Sequence, residues 1–290
     1  MRVWPLSGSQ REGSRVRTFA TRTGVRLPLL GQGTWEMGAA DRASEVAALR
    51  LGFDLGLVLV DTAEMYAHGG AEEVVGAAIQ GRREEVFLVS KVLPGNASRL
   101  GTIAAAERSL RRLKTDCIDL YLLHWAGPHP LRATLEAFQQ LREQGKIRDY
   151  GVSNFDVDEM VAAEESPHGS GVCANQVFYN LGRRGIERRL MPWCIDRGIA
   201  IMAYSPLEQG RLRETKSLRR VAARHGVTPA QVALAWTLRV DGVVTLVKAA
   251  RAEHVRENAA AADIALSADD LAELDAEFPR PQRDVPLDTL

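Results

Sequence analysis

Three apolar runs in this chain, Leu57-Val58-Leu59-Val60, Val86-Phe87-Leu88-Val89 and Leu120-Tyr121-Leu122-Leu123, lead within two residues to Asp61, Lys91 and His124. These polar residues follow one another at intervals of 30 and 33 residues, with a segment of helical pattern between each pair. Short apolar runs alternating with helices are the rhythm of βα units feeding a parallel sheet. If such units close into a barrel, the C-terminal ends of the strands converge on one face. Asp61, Lys91 and His124 then meet in one pocket, with Tyr66 just beyond the first run. A phenol beside a cation is a proton donor whose strength can be tuned.

The remaining sequence continues the rhythm. Residues 18–30 read as a hairpin running into a strand, with Thr23-Gly24 at the turn. The first barrel strand is expected at about 28–33, followed by a helix over 41–56 with Asp41 as its N-cap. Further helices are expected over 70–80, 101–114 and 131–144, the last ending against Gly145. A fifth strand, 146–152, leads into Ser153-Asn154, and a sixth, 172–177, contains Asn175-Gln176. A helix over 186–197 precedes the seventh strand, 199–204. Two helices follow, 215–225 and one opened by Thr228-Pro229. The eighth strand, 242–247, runs into Lys248 and a helix through Asn258, and a last helix covers 267–277 behind Ser267. Eight strands alternating with helices over about 250 residues match an α/β fold of the (β/α)8 TIM-barrel type. The expected map is a flexible polar leader (1–17), a single barrel domain with an N-terminal β-hairpin (18–279) and a surface tail (280–290).

Composition excludes several function classes. Basic and acidic residues balance at 37 each, so no field suits nucleic acid or an acidic membrane. No run approaches the ~20 apolar residues of a membrane span, and no apolar core of a secretory signal is seen. Cys117, Cys173 and Cys194 form no CxxC pair and read as reduced core residues of a cytoplasmic protein. A doubly wound dinucleotide fold would want G-x-G-x-x-G after the first strand, but Gly31-Gln32-Gly33-Thr34-Trp35-Glu36 lacks the third glycine. No metal is expected: His124 and His129 are separated by Pro128, and Asp61 and Glu64 are joined by no HxH or HxxxH.

Free tyrosine, with pKa about 10, is a weak acid at neutral pH. The Lys91 ammonium is expected to lower the Tyr66 pKa, and Asp61 to hold Lys91 protonated and in place. Tyr66 then serves as general acid toward a carbonyl oxygen, while a neutral His124 hydrogen-bonds the same oxygen. Each residue alone has a plainer use: a turn cap for Asp61, loop packing for Tyr66, a strand end for Lys91, a core imidazole for His124. Their joint placement at three successive strand ends is what points to catalysis. Trp35, Met37, Trp125 and Phe155 suggest an apolar mouth suited to aldehydes or ketones with hydrophobic parts. Short loops after the fourth and seventh strands predict an open, permissive site.

Asp61-Thr62-Ala63-Glu64-Met65-Tyr66 resembles the D-[ST]-A-x-x-Y signature of the aldo-keto reductase family. Ser90-Lys91, Leu122-Leu123-His124-Trp125, Gly151-Val152-Ser153-Asn154-Phe155, Asn175-Gln176, Tyr204-Ser205-Pro206-Leu207 and Lys248 through Glu257-Asn258 continue the resemblance, in order, over about residues 18–275. The resemblance implies a barrel that binds NADP(H) and reduces carbonyls, with Asp61, Tyr66, Lys91 and His124 as catalytic tetrad. It further implies that Ser153, Asn154 and Gln176 hold the nicotinamide carboxamide and that Tyr204 stacks on the ring. Ser205, Leu207 and Gly210 would follow the pyrophosphate, Lys248 the 2′-phosphate, and Glu257 and Asn258 the adenine. The family often has Ser or Thr after the lysine and Arg six residues beyond it; here these are Ala249 and His254, which leaves NAD(H) open. The competing reading is a nicotinamide-binding regulatory subunit, resembling the potassium-channel β subunits. A metabolite binder with a dead site is third, disfavoured by the intact tetrad. The expected partner is a small carbonyl substrate, and a monomer is expected.

Overall fold

The computed structural model describes residues 17–290 apart from Ala40. Two short antiparallel strands, β1 (Thr18–Ala20) and β2 (Arg26–Pro28), form the hairpin. Then come β3 (Leu30–Gly33), β4 (Leu59–Asp61), β5 (Phe87–Val92), β6 (Ile118–Leu123), β7 (Ile147–Ser153), β8 (Val172–Phe178), β9 (Ala200–Tyr204) and β10 (Val243–Val247). These eight pair in parallel, and β10 pairs back with β3 to close the barrel. The helices are α1 (Arg42–Asp54), α2 (Gly70–Ala78), α3 (Arg99–Leu113), α4 (Leu131–Glu143), α5 (Val157–Glu165), α6 (Leu190–Asp196), α7 (Lys216–His225), α8 (Pro229–Thr237), α9 (Ala252–Ala260) and α10 (Ala268–Glu277).

The strands are apolar on both faces because each face has its own core. Leu59, Val89, Leu120, Leu122, Ala174, Ala200, Met202, Val244 and Leu246 fill the barrel. Val60, Leu88, Tyr121, Leu123, Val152 and Val177 pack outward with helix residues such as Val74, Leu110 and Phe138. Continuous apolar strands are what a sheet covered on both sides requires.

The hairpin covers the N-terminal ends of the strands. Arg22 donates its backbone N–H to Gly198 O at 2.7 Å and its Nε to Val172 O at 2.9 Å. The opposite face is thereby left for chemistry. Of the leader expected at 1–17, residues 1–16 lie outside the described residues. Arg17 is already tied in, accepting from Leu29 N–H and reaching Asp241 at 3.2 Å. The C-terminal tail lies against the segment between β8 and α6, through Arg188–Asp284 at 2.9 Å and through Leu287, which packs on the outer core.

Three helices depart from the sequence reading. Helix α3 starts at Arg99 because Ser98 caps it, accepting from Gly101 N–H. Gly185–Glu187 form a 3-10 helix, and α6 begins only at Leu190, with Pro192 in its first turn, where a missing N–H costs nothing. Helix α5, not expected from the sequence, is opened by a capping box between Asp156 and Glu159.

Candidate active site

Strand parity decides which side chains enter the barrel mouth. Side chains alternate along a strand, so Asp61 follows Leu59 inward, Lys91 follows Val89, and His124 follows Leu120 and Leu122. Gln176 likewise follows Ala174, and Tyr204 follows Ala200 and Met202. Tyr66 is delivered by the turn after β4, where Ala67 and His68 take left-handed φ of 47° and 52°.

Lys91 is wholly buried, and Asp61, Tyr66 and His124 are each under 10% exposed. The Lys91 ammonium donates to Asp61 Oδ2 at 2.7 Å, to Thr62 O at 2.9 Å and to Tyr66 Oη at 3.1 Å. An ammonium has three protons, and all three are matched. The Asp61 Oδ1 accepts from Gln176 Nε2 at 2.8 Å. The Tyr66 and His124 rings lie 5.8 Å apart in an edge arrangement. Trp35 packs edge-on to Tyr66 at 5.0 Å, and Trp125 lies 4.8 Å from His124.

Electrostatics partly reverse the expectation for Tyr66. Burial raises its pKa and outweighs the opposing charge of Lys91, so the phenol stays protonated beyond its ordinary range. Burial also works against the Lys91 ammonium, but the charges and hydrogen bonds of Asp61 and Tyr66 prevail and its pKa is raised. For His124, burial and then the Lys91 charge push the pKa down to about 2, so the imidazole is neutral. Among the described residues its Nδ1 is enclosed without a hydrogen-bond partner, which leaves Nε2 as the nitrogen facing the mouth.

The other expected residues gather on the same face. Ser153 Oγ donates to Gln176 O at 2.8 Å. Asn154 Nδ2 donates to His124 O at 3.2 Å, and Asn154 Oδ1 accepts from Tyr204 Oη at 2.9 Å. Tyr204 stacks on Phe178 at 5.4 Å with 6° between planes. Lys248 stands exposed at the end of β10, and Glu257 and Asn258 lie on α9. Arg251 precedes α9, its Nη2 2.5 Å from His254 Nε2. Trp35 and Trp125 are about two-fifths exposed and flank the opening. Met37 is fully buried in the outer core beside the Tyr66 cluster, so it backs the mouth rather than lining it. Glu64 is spent on the loop after β5, accepting from Leu93 N–H and Asn96 Nδ2, and pairing with Arg108.

Left-handed backbone is concentrated here. Among the described non-glycine residues, Glu36, Ala67, His68, Asn154, Ser205, Glu208 and Gln209 take positive φ at this end of the barrel, against Lys114 and His168 elsewhere. Strained conformations of this kind cluster where a ligand must be held. The sequence reading missed the Gln176–Asp61 bond and the Asn154–His124 link. Only the inward parity of Gln176 signals the first.

The description "Aldo/keto reductase family" matches residues 29–277. The chain is 51% identical to methylglyoxal reductase YeaE of Escherichia coli K12, over 91% of this chain and 95% of that one. It is 36% identical to glyoxal reductase of Bacillus subtilis, over 89% and 92%. Among solved structures, an aldo/keto reductase from Klebsiella pneumoniae in complex with NADP and acetate superposes with a TM-score of 0.91 at 50% identity, covering 94% of this chain and 99% of that one. With the barrel, the buried Asp61–Lys91–Tyr66 cluster and these matches in hand, the chain belongs to the aldo/keto reductase family.

Proposed function

We propose that this chain reduces small aldehydes and ketones to alcohols with NADPH, and that Tyr66 is the proton donor. One observation carries the reading: all three Lys91 protons are taken, one of them by Tyr66 Oη. The phenol therefore accepts from Lys91, and its own O–H is left to donate into the mouth. A carbonyl oxygen seated between Tyr66 and His124 receives that hydrogen bond and, as charge builds on it, the proton. Neutral His124 offers Nε2–H to the same oxygen and orients the carbonyl. Lys91, held by Asp61, stabilises the phenolate that remains. Bound NADPH supplies the hydride to the carbonyl carbon.

The residues present fit that cofactor. Gln176 donates its Nε2 to Asp61, which leaves its Oε1 to accept from a carboxamide. Ser153 and Asn154 frame the same corner, and Tyr204 offers its ring to the nicotinamide. Ser205, Leu207 and Gly210 would follow along the pyrophosphate, Lys248 would meet the 2′-phosphate, and Glu257 and Asn258 would reach the adenine. A structure described as a Klebsiella pneumoniae aldo-keto reductase in complex with NADPH, 49% identical, supports this cofactor. The relatives described as methylglyoxal and glyoxal reductases support short 2-oxoaldehydes as substrates. All these groups come from one chain, which supports a working monomer. The three free cysteines support a reducing, cytoplasmic setting, and no described helix is long and apolar enough to cross a membrane.

The test is Tyr66→Phe, assayed with methylglyoxal, glyoxal and an aromatic aldehyde. Turnover is expected to fall by roughly 10²–10⁴-fold, with NADPH affinity by tryptophan quenching nearly unchanged. Retained turnover removes Tyr66 as proton donor. Tight NADPH binding without turnover by the parent chain on any carbonyl indicates a regulatory subunit instead.

A further inference from the structure

The loop after β9 is held by an unusual amount of hardware. Ser205, Glu208 and Gln209 take φ of 49°, 51° and 55°, followed by Gly210 at 79°. Such conformations persist only where neighbours over-determine them. The neighbours come from the turn after β8. Asn180 is wholly buried and donates Nδ2 to Ser205 O at 2.9 Å and to Glu208 Oε1 at 3.3 Å. Asn180 Oδ1 in turn accepts from the backbone N–H of Gly182 and Arg183. Arg183 donates Nε to the same Glu208 Oε1 at 2.9 Å.

Arg183 also reaches two other parts of the site's surroundings. Its guanidinium lies 5.4 Å from the centre of the Phe178 ring, and Phe178 is the ring on which Tyr204 stacks. Its Nη1 reaches Asp288 of the C-terminal tail at 3.5 Å. One side chain thus joins the loop, the aromatic pair and the tail.

We propose that Arg183 is a positioning residue for cofactor retention, tying the loop after β9 to the C-terminal tail and backing the Phe178–Tyr204 pair. This rests on the reading that Tyr204, Ser205, Leu207 and Gly210 face NADPH. When the loop is held in its left-handed form, the cofactor meets a pre-arranged surface and leaves only when that surface opens. Half-exposed ion pairs and cation–π contacts are each worth little, so the expected effect is modest. Arg183→Ala raises the NADPH dissociation rate about three- to tenfold. Asp288→Asn raises it about twofold, through the longer and more exposed contact.

The experiment is stopped-flow displacement of NADPH from the full chain, comparing Arg183→Ala, Arg183→Lys, Asp288→Asn, the double variant and Tyr204→Ala. The proposal expects faster release from Arg183→Ala, partial recovery in Arg183→Lys, and no further effect of Asp288→Asn once Arg183 is gone. A dissociation rate is read per occupied site, so a lowered folded fraction does not mimic the effect. Normal release from Arg183→Ala alongside faster release from Tyr204→Ala overturns the proposal and leaves the cofactor reading standing. Normal release from both overturns the cofactor reading, and the proposal with it. A less stable Arg183→Ala with normal release makes Arg183 merely structural and also overturns the proposal.

Discussion

Lys91 is a buried ammonium whose three protons all end on protein oxygens, and much of the site's behaviour follows from that saturation. The same charge, together with burial, keeps His124 neutral. The sign of the resulting pH dependence is definite. In the unfolded chain the imidazole takes a proton below about 6.5, whereas in the folded chain it does so only near 2. The stability associated with neutral His124 is therefore complete above pH 6.5 and is lost as pH falls toward 2. One differential proton is worth about 1.4 kcal/mol per pH unit. His124→Gln should flatten the acid limb of stability between pH 6.5 and 4 by up to that slope; urea denaturation at several pH values measures it, and an unchanged limb refutes it. At the far end of the site, Lys248→Ala should weaken NADPH much more than NADH. Equal losses in paired titrations would put Lys248 outside a 2′-phosphate site.

Helices in this chain are legible where they carry a cap and a broad apolar stripe. Asp41, Thr215 and Ser267 sit as N-caps where their residue types and positions suggest. Helix α8 has a full capping box between Thr228 and Gln231, with Pro229 just inside. Thr228→Ala removes one half of that box and should cost about 1 kcal/mol, read as a shift in the urea midpoint at constant m-value. A variant as stable as the parent would mean that packing of the buried face alone holds the helix. Helix α5 was invisible to periodicity because only Met160 and Ala163 are buried along it, too few to make a stripe. Its signal was local instead: Asp156 three residues before Glu159 is a reciprocal cap written in the sequence. The late start of α6 had a signal as well, since Pro192 fits a first turn and not an interior.

Closure of the barrel brings together groups that no local pattern connects. Gln176 and Asp61 are 115 residues apart and share a hydrogen bond because β8 and β4 face each other across the barrel interior. The ring tolerates little change where strands crowd. Between Tyr150–Val172 and Val152–Asn175 the β7–β8 register slips, and a Cβ on Gly151 would come within 2.4 Å of Ala174 O. Gly151→Ala should cost about 1–3 kcal/mol by overpacking and lower Tm by several degrees in calorimetry; an unchanged Tm would show that the bulge can absorb a methyl group. The rhythm of apolar runs, the barrel class and the inward parity of Asp61, Lys91 and His124 are local properties, because strand alternation and helix periodicity are written residue by residue. The raised pKa of Tyr66, the burial of Met37, the Gln176–Asp61 bond and the Arg183 contacts depend on what the closed ring packs around each group. Desolvation and through-space hydrogen bonds are set by neighbours in space, and those neighbours exist only once the register is fixed and β10 meets β3.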